Sequence, residues 1–147
     1  MRPLSIVNFE RCYLGAIMVG LVNSLIILPA MIRTPQIAQA TARFGSGFLY
    51  GTMAAGVVVT LLLWYFAARR ASVVAKWIIV VFFAFGVLGL LRNVATGFSG
   101  IPSNLSAVLG IVAFVLQAVA VYLLFRPDAA AWFRRDDVAA DLGETFR

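Results

Sequence analysis

The chain has 147 residues, 63% of them hydrophobic, and twelve Lys and Arg against six Asp and Glu give a net charge of +6. Its mean hydropathy of +0.97 leaves no polar shell to cover a water-soluble core, which excludes a soluble globular domain. The basic residues lie singly or in pairs and never form a block or a helical stripe, so the charge is not a nucleic-acid signal.

Residues 1–10 read as a short lead. Four apolar stretches follow, at residues 12–32, 48–68, 73–91 and 105–125. Each is about 20 residues long, the length that crosses a hydrocarbon core at 1.5 Å of rise per helical residue. Apart from Lys76, near the start of the third, they contain no Asp, Glu, Lys, Arg or His. Between the first two, Thr34-Pro35 predicts a cap followed by proline at the first helical position. Ile37, Ala38, Thr41 and Phe44 recur at helical spacing, which predicts a short interfacial helix ended by Gly45-Ser46-Gly47. Ala38-Gln39-Ala40 has the form of a signal-peptidase site, but the preceding apolar run is too long for a signal peptide, so the first span is expected to be permanent.

The connection 67–76 is short and basic, which makes the second and third spans antiparallel neighbours. The connection 92–104 is rich in Gly, Ser and Asn, and a helix cap is expected at Ser103 or Asn104. After the fourth span, Arg126-Pro127-Asp128 starts a new helix. Over residues 128–142, Ala129, Trp132, Phe133 and Val138 form one apolar side against Arg134, Arg135, Asp136 and Asp137. The expected fold is all-α: a single membrane domain over residues 1–147, an antiparallel four-helix bundle with an interfacial C-terminal helix on the cytoplasmic face.

Charge sets the expected orientation. Arg2, Arg11, Arg69, Arg70, Lys76, Arg126, Arg134, Arg135 and Arg147 fall on one side of the bundle, and only Arg33, Arg43 and Arg92 on the other. Nine against three places both termini in the cytoplasm. Arg69, Arg70, Lys76, Trp77, Trp132 and Phe133 are the expected anchors at that interface. Arginine over lysine and abundant alanine associate the composition with a bacterial inner membrane.

Helices in lipid associate through close packing of small residues and interhelical hydrogen bonds. Span one offers Ala16, Gly20 and Ser24, with Asn23 beside them. Span two offers Gly47, Gly51 and Ala55, and next to these Thr52, Gly56 and Thr60. Span three carries Gly86, Gly89 and Asn93, and span four Ser106, Gly110, Ala113, Gln117 and Ala120. These seams hold the bundle together, and Gly47/Gly51/Ala55 is the one best suited to face a partner or a second copy. Asn23, Thr60 and Gln117 lie near mid-span, where an unpaired amide costs several kcal/mol. They are expected to face inward, as a hydrogen-bonded cluster or as the lining of a small polar pocket.

No carboxylate or histidine lies deep in a span, and Cys12 is the only cysteine. No catalytic residue, metal site or cofactor is therefore assigned. Two segments, Ala67…Arg69-Arg70…Val74-Ala75-Lys76-Trp77-Ile78 and Tyr122-Leu-Leu-Phe-Arg-Pro-Asp-Ala129…Ala131-Trp132-Phe133, resemble a group of small four-span proteins of proteobacteria. The likeness covers about residues 9–134. It implies the topology and a bacterial inner membrane, and no activity is established for the group. The functional expectation is a non-catalytic membrane protein, a structural or accessory subunit that contacts the lipid bilayer and another membrane protein or its own copies. The alternative is a membrane protein that binds a lipid, a quinone or another small neutral ligand, or a carrier or channel.

Overall fold

The computed structural model describes residues 3–98 and 103–133. Helix α1 spans Leu4–Ile32, α2 Pro35–Phe44, α3 Ser46–Arg69, α4 Val73–Ala95 and α5 Asn104–Leu124. A further helix, α6, starts at residue 127 and continues to 133, where the described residues end. The expected helix over 134–142 lies outside them. Four of the helices, α1, α3, α4 and α5, are long and apolar enough to cross a membrane. The fold is thus an all-α four-helix membrane bundle.

Each boundary has a local cause. Pro35 stands at the first position of α2, and Gly45 ends that helix with φ +81°. Thr34 occupies the cap position, but its hydroxyl donates to the Met31 carbonyl at 2.7 Å instead of capping α2. Ser72 caps α4, accepting from the Ala75 N–H at 3.3 Å, and Ser103 caps α5, accepting from the Ser106 N–H at 3.2 Å. Helix α4 continues past Leu91 and takes in Arg92 and Asn93. It ends in a Schellman turn: the Gly97 N–H donates to the Val94 carbonyl at 3.0 Å and the Phe98 N–H to the Asn93 carbonyl at 2.8 Å. That turn needs a left-handed residue, and Gly97 supplies it with φ +57°.

The largest difference from the sequence reading is at the start. The chain is already helical at Leu4, so most of the expected lead belongs to α1, a helix of 29 residues. At about 1.5 Å per residue it is about 43 Å long, against about 30 Å of hydrocarbon. Its first turns therefore project beyond the apolar slab.

The core follows from this overhang. The buried cluster gathers at one end: Ile6, Phe9 and Tyr13 from α1; Leu63, Ala67 and Ala68 from α3; Ala71, Ala75 and Ile79; Ala120, Leu123 and Leu124 from α5; Ala129 and Phe133 from α6. The same end carries the basic residues Arg11, Arg69, Arg70, Lys76 and Arg126. We call it the basic end. Along the spans themselves, by contrast, only 6–17% of the apolar windows is buried. Water borders the basic end, so the hydrophobic effect acts there. Between helices in hydrocarbon it does not, and only close fit holds them.

Candidate functional site

Helices α1 and α5 form by far the most extensive pairing in the bundle. Glycine permits it. A Cβ at Gly15 would stand 3.6 Å from Leu116 Cδ1, and one at Gly110 would stand 3.7 Å from Asn23 Nδ2. Across this seam the Ser106 hydroxyl donates to Asn23 Oδ1 at 2.7 Å. Further toward the basic end, the Gln117 side chain lies within hydrogen-bonding reach of the buried Tyr13 hydroxyl. Ser106, Gly110, Ala113, Gln117 and Ala120 are all buried or half-buried, and they form the face that meets α1.

Asn23, Thr60 and Gln117 do not converge on one point. Asn23 pairs with Ser106 and Gln117 reaches Tyr13. Thr60 turns its hydroxyl back to the Gly56 carbonyl of its own helix at 2.8 Å. The Ser106 and Thr60 hydroxyls are thus both paired, which spares hydrocarbon two unpaired donors.

Two of the clefts between the described spans are sizeable. The larger, about 480 Å³, lies between α1 and α3 and is lined by Ile17, Gly20, Leu21, Ser24, Met53, Ala54, Gly56, Val57 and Thr60. The smaller, about 230 Å³, lies between α4 and α5, beside Gly86, Gly89, Asn93 and Gly110, with Phe98 at its edge. At Gly20, Gly47, Gly51, Gly56, Gly86 and Gly89 an added Cβ would meet nothing within 4 Å. Ala55, like Gly47 and Gly51, is exposed. The Gly47/Gly51/Ala55 seam therefore faces away from the other helices of its own chain.

The basic end is held differently. Lys76 Nζ lies 4.1 Å from the Phe125 ring centroid and 5.2 Å from that of Phe133. Trp77 meets Phe125 edge-on at 6.1 Å. A cation over a ring contributes about 0.5–2 kcal/mol, more as water is excluded. Trp132 packs against the core. Arg69 bonds Glu10 at 3.3 Å, but its side chain is 46% exposed. The pair is thus worth at most about 1 kcal/mol and serves mainly to set the α1–α3 register.

One contact here has no local sequence signal. Pro3 gives the start of α1 no side-chain cap, and the Ser5 N–H donates to Asp128 Oδ2 at 3.3 Å. Asp128, from the second position of α6, thus caps a helix that begins more than a hundred residues earlier. It stands near the positive ends of two helix dipoles. Ser5 beside it holds its carboxyl below the ordinary range, helped by Arg126. A carboxyl depressed in the folded state stabilises fully above its unfolded value of about 3.9, and the effect is lost as pH falls through the lower folded value. Asp128→Asn should therefore melt earlier than the parent at neutral pH, and the difference should shrink as the carboxyl of the folded parent is protonated in acid. Thermal melts in detergent across pH would show it.

The Ile6, Phe9, Tyr13 and Ala16 stripe does have a signal. Its spacing of three, four and three is that of a helix face, running through residues otherwise read as a lead. Among the described residues, no group of three or more His, Cys, Asp or Glu side chains comes together.

The fold and its seams define a small multi-pass membrane protein of four apolar helices. Compared with family models, curated proteins and solved structures, the chain matches none.

Proposed function

We propose that this is a non-catalytic integral membrane protein, a structural or accessory subunit that docks its open helix faces onto other membrane helices. The observation that carries this reading is the set of glycines with no neighbour in the chain itself. An interior helical glycine costs about 1 kcal/mol relative to alanine. At Gly20, Gly47, Gly51, Gly56, Gly86 and Gly89 the isolated bundle has room for a methyl group. In lipid, the return on such a glycine is the close approach of another backbone. The nine-to-three distribution of basic residues supports an orientation with both termini in the cytoplasm. The arginine- and alanine-rich composition favours a bacterial inner membrane.

Gly51→Leu tests the reading. Native mass spectrometry of the protein, extracted in nanodiscs at its natural level, should show a stoichiometric partner chain or a second copy. Gly51→Leu should lose that partner while the melting temperature of the isolated chain does not fall below the parent's, since the position is open and leucine favours a helix over glycine. Normal assembly of the variant would remove the Gly47/Gly51/Ala55 seam from consideration.

The α1–α3 cleft favours a second reading, a binder of a lipid or small neutral molecule. Its volume lies in the range of ligand sites, and its walls are apolar apart from Ser24 and Thr60. A lone chain that retains a small molecule after extraction would support this reading over the first.

A further inference from the structure

We infer that the basic end carries a binding surface for the phosphodiester head group of an anionic phospholipid, centred on Lys76 and Arg70. The carboxylates at this end are already engaged. Glu10 is bonded to Arg69 at 3.3 Å, and Asp128 caps α1 through Ser5 at 3.3 Å. Arg126 lies in the field of Asp128. Arg11, Arg70 and Lys76 remain, and among the described residues no carboxylate forms an ion pair with any of them. Among the described residues this end therefore carries more positive than negative charge.

Lys76 is the distinctive member. Phe125 and Phe133 hold its ammonium by their faces, which fixes the position of the charge without supplying an anion. It lies one turn into α4, so it sits at the edge of the hydrocarbon and not within it. Trp77 and Tyr122 beside it are 56% and 67% exposed, and amphipathic rings of this kind settle at head-group depth. Arg70 caps the end of α3, six residues before Lys76, and is exposed. Phe125, against the Lys76 ammonium, and its neighbour Trp77 are exposed too, as is Ile78. That apolar surround selects an anion carried on acyl chains over a free one.

The test uses the full-length protein in vesicles and its own tryptophans. Trp64, Trp77 and Trp132 all lie at or near this end, so brominated lipids that bind there quench their fluorescence. Brominated phosphatidylglycerol should quench at lower mole fraction than brominated phosphatidylcholine. Each charge removed should reduce that preference about fivefold, the effect of one basic residue at an anionic surface. Lys76→Gln/Arg70→Gln should lose it, Lys76→Arg should keep it, and Arg33→Gln/Arg43→Gln at the opposite end should not alter it. Arg70→Gln alone, at an exposed position, provides the measurement if the double variant does not fold. Equal quenching by the two lipids in the parent would overturn the inference, as would an unchanged preference in the site variants or an equal loss in the opposite-end control. Displacement of the lipid by inorganic phosphate at constant ionic strength would also overturn it, since the surface would then be a free-anion site.

Discussion

Phe9→Ala should destabilise the bundle by about 3–5 kcal/mol, the range for removing a buried aromatic ring and leaving part of its cavity. Phe9 is fully buried, stacks obliquely on Tyr13 at 5.2 Å and joins α1 to the ends of α3, α5 and α6. It lies on the overhang of α1, where the unfolded alternative exposes the ring to water, so the transfer term applies in full. A phenylalanine in mid-span, such as Phe85, is 66% exposed and faces hydrocarbon either way; its replacement by alanine should change little. Unfolding in a denaturing detergent titration, followed by loss of near-ultraviolet circular dichroism, would measure both. Equal sensitivity at the two positions would mean that the stability of the bundle is not concentrated at the basic end.

Gly110→Leu is the second large effect. A side chain there starts 3.7 Å from Asn23 Nδ2, an ordinary contact for its Cβ, so a methyl fits and a larger side chain that stays on the α1 face crowds Asn23. The Ser106–Asn23 bond of 2.7 Å is then lost, worth about 0.6 kcal/mol on average for a bond of this type. Overpacking adds about 1–3 kcal/mol. The steric term dominates, and the total should be about 1.5–3.5 kcal/mol in the same titration, less up to about 1 kcal/mol that leucine gains over glycine in a helix. Asn23→Ala separates the two terms, because it removes the bond and relieves the crowding. Combined with Gly110→Leu, it should recover part of the loss, a coupling that a double-mutant cycle would read directly.

The four spans are legible in the sequence because length and hydropathy are enough to specify a helix in lipid, where every backbone group must be bonded within its own segment. Helix ends marked by capping serines or turn-forming glycines are legible for the same local reasons, as at Ser103, Gly45 and Pro35. What packs against what is far less legible. A span that is apolar on every side carries no amphipathic stripe to point toward its neighbours. Small-residue spacing recurs on all four, and only the Ser106–Ala120 face is used for extensive packing within the chain. The separation of Asn23, Thr60 and Gln117 has a related cause. A threonine in a helix can satisfy itself on its own backbone, so its polarity does not require a partner across the bundle. The overhang of α1 is hidden by Asn8, Glu10 and Arg11, which lower the local hydropathy although Ile6, Phe9 and Tyr13 keep the helical period. The Asp128 cap has no local signature.

That cap also bears on how the molecule is made. Ser5 and Asp128 are 123 positions apart, and the principal helix pair likewise joins the first span to the last. A ribosome adding about 5–20 residues per second needs roughly 6–25 s to cover that interval. Asn23 and Ser106 are 83 positions apart, so for roughly 4–17 s α1 resides in the bilayer without the helix it fits best and the Asn23 carboxamide lacks its partner. The α3–α4 hairpin, closed by a turn of only a few residues, is complete while α1 still waits. Since α3 packs on α1 as extensively as on α4, α1, α3 and α4 can assemble first, and α5 docks onto helices that are already in place.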